Sequence, residues 1–329
     1  MMLPRRYQRQ QAMIPLRRFV WIVLFLTSIG PPAFAAVCGD NVAGQDVPCR
    51  CGDTVGSSVV LTDDPVTMTQ CRRHALVVSL GREVTGVEID LNGKTLRGSG
   101  KGAGLWVTSG GSDGVRIVSN STPALIEGFR DGIAARTMGT VQVIDNVIVN
   151  NSVRDGIHIL SDGVQIRDSE AYNSGRDGFF VRGEAWVLQG LHAFNSGRHG
   201  LRVSGNMGTI GVRRSGVTIE SSGHTGINVM GIGHRVIDCV VIGGRGDGVT
   251  TGGVYHEVNG CLVVDNDGTG LKGGSHFTRL QNNRAEHNGL NGILFPGSGI
   301  QDGGGNVGFG NGAENSIAKQ CEIGGAPCR

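Results

Sequence analysis

Apolar and polar residues alternate in short bursts along most of the chain, and the bursts repeat. The clearest marker is a glycine followed by an apolar residue: Gly132-Ile133, Gly156-Ile157, Gly178-Phe179, Gly200-Leu201, Gly226-Ile227, Gly248-Val249, Gly270-Leu271 and Gly292-Ile293. Successive markers stand 24, 22, 22, 26, 22, 22 and 22 residues apart, with Gly104-Leu105 an earlier, more distant member. A fixed period of this length predicts a solenoid. Other columns keep the same register. Seven residues before the glycine stand Val149, Ala171, Ala193, Ile219, Val241, Val263 and Ala285. Twelve before it stand Ile144, Ile166, Leu188, Arg214, Val236, Val258 and Leu280, with Arg214 the exception. Three after it stand Ile159, Val181, Val203, Val229, Thr251, Gly273 and Phe295. Alternation with period two marks half-buried strands rather than helices. Each repeat therefore predicts about three short strands, joined by Gly, Asn and Asp corners.

One such coil cannot bury its inner face alone. Stacked coils close a core and pair each strand with its copies at ~4.8 Å. The predicted fold class is all-β: a right-handed parallel β-helix, the hand following from parallel crossovers. Asn151, Asn173 and Asn195 share a column five before the glycine, and their amides predict a ladder at a corner. A leucine-rich repeat has an overlapping period, but its leucine scaffold is missing and the half-repeats carry Gly and β-branched residues. Gly243-Gly244-Arg245-Gly246-Asp247 touches the calcium-binding nonapeptide pattern only once. The organisation expected is a signal peptide over 1–35, an N-terminal cap and first coils over 36–100, repeats over 101–296, and a Gly/Asn-rich cap over 297–329.

Composition agrees with the pattern. The 57 glycines and 5% aromatics disfavour helical bundles, since each interior Gly weakens a helix by about 1 kcal/mol relative to Ala. The formal charge of +2 is set by the leader: Arg5, Arg6, Arg9, Arg17 and Arg18 precede residue 36 and no acid does, leaving 25 basic against 28 acidic residues in the remainder. A mildly acidic remainder lacks the electrostatic footprint of a nucleic-acid binder. Arg17-Arg18, the apolar run Phe19 to Leu26, Pro31-Pro32 and Ala33-Phe34-Ala35 read as a secretion signal with a small-x-small cleavage pattern. The run is short for a bilayer-spanning helix, so no membrane span is expected in the mature chain. The expected location is secreted or periplasmic.

Eight cysteines fit an oxidising destination. The candidate pairs are Cys38 with Cys49, Cys51 with Cys71, and Cys321 with Cys328. Cys239 and Cys261 are 22 apart, in one column on adjacent coils; a disulfide and two buried free thiols both fit them. No zinc-ligand spacing is present, so no metal or cofactor is expected. Asp265-Asn266-Asp267-Gly268 offers an incomplete calcium pattern.

The front of the chain carries Cys51-Gly52-Asp53-Thr54-Val55, then Val60-Leu61-Thr62, Cys71, and Val87-Glu88-Ile89-Asp90-Leu91-Asn92-Gly93-Lys94-Thr95-Leu96. Together with the Asp-Gly-Ile style repeats, these resemble the secreted right-handed parallel β-helix repeat proteins of the pectate-lyase-like group, over roughly residues 49 to 295. That resemblance implies the fold and a link to carbohydrate. The wider group includes polysaccharide lyases, mannuronan epimerases, polygalacturonases and a periplasmic accessory protein for nitrous oxide reductase. The enzymes' motifs do not transfer: there is no Asp-Pro-His, no Asn-Thr-Asp with Gly-His-Gly and Arg-Ile-Lys, and no Arg-x-Pro-x-x-Arg.

Candidate chemistry gathers beside the marker glycine. One before it come Asp131, Asp155, Asp177, His199, Thr225, Asp247, Thr269 and Asn291. Two before it come Arg130, Arg154, Arg176, Arg198 and His224, and two after it His158, Phe180, Arg202, Asn228, Thr250 and Lys272. Asp155 and Asp177, one strand spacing apart, match the carboxylate separation of a retaining glycosidase; ordinary Asp-Gly corner chemistry is the favoured explanation of them. Arginines stacked at ~5 Å repel one another and need anions close by. Arg130, Arg154 and Arg176 each have an adjacent Asp, whereas Arg198 is followed by His199. The repeat there is the longest, with extra residues expected to bulge near Asn206 to Gly211.

The sequence thus points to a basic groove in which Asp177, His199 and Arg202 are the catalytic candidates and Arg154, Arg176, Arg198, His158 and His224 the ligand-binding ones. His199 with Asp177 would form a base and its orienting partner, and the arginines would neutralise a uronate carboxylate. The expected function is non-catalytic binding of glycan or a partner along the solenoid face. The alternatives are a lyase or epimerase acting on uronate-containing polysaccharide, and a structural or accessory protein.

Overall fold

The computed structural model describes residues 38–39, 41–42, 45–46, 48–62, 70–81, 86–110, 114–136, 141–274, 276–312 and 319–328. The expected signal peptide at 1–35 lies outside the described residues. The chain is a parallel β-helix. Its first sheet has 13 strands, its second 11 and its third 10. One coil runs Phe179–Glu184 in the first sheet, Val187–Gln189 in the second and Leu191–Phe194 in the third. The next repeats it with Leu201–Asn206, Thr209–Ile210 and Val217–Glu220. Phe179 pairs with Ile157 on one side and Leu201 on the other, so the sequence period is the hydrogen-bond register. No helix occurs among the described residues, which removes the leucine-rich alternative.

The residue after each marker glycine points into the core. Leu105, Ile133, Ile157, Phe179, Leu201, Ile227, Val249, Leu271 and Ile293 are all fully buried, each contributing about 1.5–3 kcal/mol by burial. The glycine itself answers to close approach between coils. A Cβ on Gly178 would stand 2.7 Å from the carbonyl oxygen of Gly200 and 2.9 Å from the Ala193 Cβ. The left-handed corner is filled mainly by other residues: Asn151, Asn173 and Asn195 have φ of 53°, 51° and 54°, as Asn tolerates this region. The amide of Asn195 donates to Asn173 at 2.8 Å, extending the expected ladder, but Asn173 donates to Asn150 rather than Asn151.

A second ladder lies inside. Asn266 donates to Asn288 at 3.0 Å, Asn288 to Asn311 at 2.9 Å, and Gln320 closes the end by accepting from and donating to Asn311. Asn266 is therefore turned into the core, away from any cation beside Asp265 and Asp267. Groups of three or more His, Cys, Asp or Glu suited to a metal ion are absent among the described residues.

The long repeat differs from expectation. Thr209 and Ile210 pair with Val187 and Leu188, in register, and Leu191 pairs with Val217. The four extra residues thus sit after Ile210, not before Gly211. They form a tight turn in which Val212 bridges Ser215, between the second and third sheets. Ile210 takes the core place that the count had given to Arg214, which is exposed at the turn. Spacing between glycines measures the length of the excess but not its place.

Both ends of the first sheet are covered, which blunts the open edges of a solenoid. Cys38 bridges Val55 at the front, and Cys321–Ile323 turns back antiparallel on Ala326–Pro327 at the rear. Disulfides join Cys38 to Cys49, Cys51 to Cys71, Cys239 to Cys261 and Cys321 to Cys328. They fit an oxidising, extracytoplasmic environment. Cys239 and Cys261, 4.4 Å apart at Cα, settle as a bridge between adjacent coils.

Candidate functional site

The corner that leads into the first sheet carries the aspartate and arginine columns. Asp131, Asp155 and Asp177 are almost completely buried. Each carboxylate accepts the backbone N–H of the equivalent residue one coil on: Asp131 from Asp155 at 3.5 Å, Asp155 from Asp177 at 3.3 Å and Asp177 from His199 at 3.3 Å. The aspartates thereby staple coil to coil. They also hold the arginines. Arg130 and Arg136 contact Asp131 at 3.2 and 2.8 Å. Arg154 and Arg176 approach Asp155 at 3.7 and 3.9 Å. Arg198 grips Asp177 with two nitrogens, at 2.8 and 2.5 Å.

This geometry changes the expected constellation. Arg198 is paired with the aspartate of the preceding coil, and that hydrogen bond raises its pKa further. Asp177, with both oxygens engaged, is not hydrogen-bonded to the His199 ring. The His199 Nδ1 instead lies 3.3 Å from the carbonyl oxygen of Thr225. Burial pushes the His199 imidazole below its ordinary value; Asp177 opposes the shift, and Arg198 and Arg202 add to it. His224 is exposed, its ring 6.0 Å from that of His199. The glycosidase arrangement also lacks free carboxylates, since Asp155 and Asp177 are both spent on the corner.

A base with an orienting partner does exist, one coil earlier. His158 Nδ1 lies 2.8 Å from Asp155 Oδ2. With the carboxylate as acceptor, Nδ1 carries a proton, and in the neutral form of the ring Nε2 keeps its lone pair. Burial pushes the Asp155 carboxyl up, but the hydrogen bond and charge of His158, the Asp177 N–H and Arg176 outweigh it, leaving the pKa lowered. The His158 side chain is 13% exposed. Its ring meets Phe180 edge-on at 4.6 Å, and the Arg202 guanidinium lies over the same Phe180 at 5.2 Å.

Strand register explains this grouping. His158, Phe180 and Arg202 are consecutive cross-strand partners on the outward side of the first sheet. Trp106 and Ala134 precede them, and Asn228, Thr250 and Lys272 follow. Lys272 is paired with Asp247 at 3.1 Å. Arg202, and the exposed Arg182 on the same face, make no ion pair among the described residues. The sequence held a signal for the dyad. Three residues after Asp131, Asp155, Asp177 and Asp247 come Ala134, His158, Phe180 and Thr250, so only Asp155 has a histidine there.

No family model and no curated protein sequence matches this chain. Among solved structures it is similar to the crystal structure of the periplasmic alginate epimerase AlgG, at 18% identity and a TM-score of 0.37, over 70% of this chain and 66% of that one. A point mutant of AlgG matches at 17% identity and a TM-score of 0.34, with the same coverage. The chain thus spans just under two thirds of the length of the structures it matches. A likeness at this level carries no argument about activity.

Proposed function

We propose that the outward face of the first sheet, from His158 to Arg202, binds an acidic polysaccharide. The observation that carries this reading is Arg202: a guanidinium laid on an aromatic ring, with no carboxylate partner among the described residues, beside a corner where Arg130, Arg154, Arg176 and Arg198 each approach an aspartate. A carboxylate-bearing sugar supplies the missing anion, and Phe180 supplies an apolar wall. Retention on immobilised uronate polymers tests it. Arg202→Ala is expected to weaken binding at least tenfold, about the cost of one charge-assisted hydrogen bond, and rising salt to weaken the wild type. Equal retention of the variant would sink the reading.

The Asp155–His158 dyad favours a second reading, in which bound polymer is also turned over. His158 Nε2 would take the proton next to the uronate carboxylate while Arg202 neutralises the charge that develops. Return of a proton to the opposite face inverts the centre; loss of the neighbouring linked sugar leaves an unsaturated end. His158→Ala should then abolish turnover while leaving polymer retention, with Asp155→Asn lowering the rate in the same direction. Turnover that survives His158→Ala excludes this reading.

A further inference from the structure

The carboxylate column that neutralises the arginines does not extend to the front of the helix. Register places Ala103 before Asp131, and His74 before Ala103. The cations continue: Arg72, Arg73 and Lys101 lie here, with Arg130 at the next coil, and they surround a cavity of about 650 Å³ completed by His74, Trp106 and Gly100–Gly102. Arg130 is held by Asp131. Arg72, Arg73 and Lys101 make no ion pair among the described residues.

The walls are built by the fold. Gly102 has a φ of 66°, and a Cβ there would overlap the carbonyl of Arg73, so the chain keeps close to Arg73 where a larger residue would push the coils apart. His74 Nδ1 accepts the N–H of Ala103 at 3.1 Å. Burial pushes the His74 pKa down, Arg73 and Arg130 push it further, and Asp131 opposes them. The imidazole is therefore neutral near pH 7 and presents Nε2–H as a donor. Its ring lies 5.4 Å from Trp106, whose indole also carries Arg136 at 5.6 Å.

We propose that this cavity is a separate binding site for an acidic sugar unit, one ring bearing a carboxylate or sulfate group. Arg72, Arg73 and Lys101 take the anion, His74 donates to a hydroxyl, and Trp106 faces the apolar side of the ring. An anion is favoured there because the exposed Arg72, Arg73 and Lys101 gather around one space while the Asp131 carboxylate is already shared by Arg130 and Arg136. An aromatic wall beside them selects a ring over a bare ion. The site does not rest on the groove reading, since its residues belong to other coils.

The test is calorimetric titration of the full chain with a uronate oligosaccharide, a sulfated one, a neutral one of equal length, and inorganic sulfate, with tryptophan emission followed in parallel. The acidic oligosaccharides should bind and change the emission, and Trp106→Phe should remove that change, because Trp186 is fully buried and the third tryptophan, Trp21, belongs to the expected signal segment rather than to the site. The pair Arg73→Ala and Lys101→Ala should weaken binding at least tenfold with an unchanged melting temperature. The neutral oligosaccharide should not bind. Unchanged affinity in the double variant would overturn the proposal, as would inorganic sulfate binding as tightly as the sugars, or no acidic sugar altering Trp106 emission. Loss at the Arg202 groove leaves that emission untouched, so the two readings fail separately.

Discussion

Asp177 shows how one residue type serves structure where chemistry was expected. The residue is 1% exposed, and its carboxylate is shared between the Arg198 guanidinium and the His199 N–H. Replacing it strands a buried N–H and the guanidinium together. Asp177→Ala is therefore expected to cost about 3 kcal/mol of stability, read as a fall in the urea midpoint, and to leave the binding of acidic polymer at Arg202 unaltered in the protein that remains folded. A variant as stable as the wild type would show that the corner does not depend on this carboxylate. Asp155 carries the same duty with one addition, its second oxygen on His158. One residue type in one column thus has two roles, decided by what stands three residues later.

At the scale of the element, the corners carry the information and the strands carry the repetition. Strands of the second and third sheets keep register through the long repeat because the four extra residues are confined to the turn from Gly211 to Gly216. Deleting Val212–Ser215 would leave Gly211-Gly216 in the place that Gln189-Gly190 holds one coil earlier. Insertions of this size in a surface turn alter loop closure by well under about 1 kcal/mol. The deletion variant is expected to melt within a few degrees of the wild type and to bind acidic polymer equally. A large loss of stability would mean that Arg213 and Arg214 hold the corner in a way the turn geometry does not reveal. The internal asparagine ladder is the opposite case. Asn266, Asn288 and Asn311 pass hydrogen bonds from coil to coil, whereas Ser152, Ser174, Ser196 and Ser222, in the same column earlier on, bury hydroxyls without a partner.

The whole molecule is a one-dimensional stack in which each coil rests on its neighbours, so a weak point in the middle matters more than one at an end. Such a point lies at the corner between the first and second sheets. Trp186, His234 and His256 stack at 5.0 and 5.4 Å, all buried. Burial pushes the His234 pKa down, and burial with the neighbouring His234 takes His256 down to about 4. A histidine with a lowered folded-state pKa stabilises the fold fully above its unfolded value near 6.5, and this is lost as pH falls toward the folded value. From about pH 7.5 to about pH 5 the His256 contribution should fall by roughly 2 kcal/mol. This window stays above the range in which carboxylates protonate. His256→Thr, matching Thr278 one coil on, should flatten that part of the pH dependence in urea unfolding. An equally steep dependence in the variant would place the acid sensitivity elsewhere.

The period of the marker glycine determined the fold by itself, because in a stack of coils sequence distance and spatial column are the same quantity. It likewise placed Cys239 and Cys261 one above the other, since a separation of 22 is one coil, but only the structure decided that they form a bridge rather than two free thiols. What a column count does not contain is direction. Whether an aspartate turns toward the next coil's N–H, toward an arginine or toward a histidine depends on the corner's backbone angles, and these became visible only in three dimensions. Hence Asp177 joined Arg198 rather than His199, and the orienting role passed to Asp155 with His158. The Trp106 cavity was hidden for a related reason. Its residues come from three coils near the front, where the repeat is least regular, and only the folded chain brings Arg73, Lys101 and Arg130 around one space.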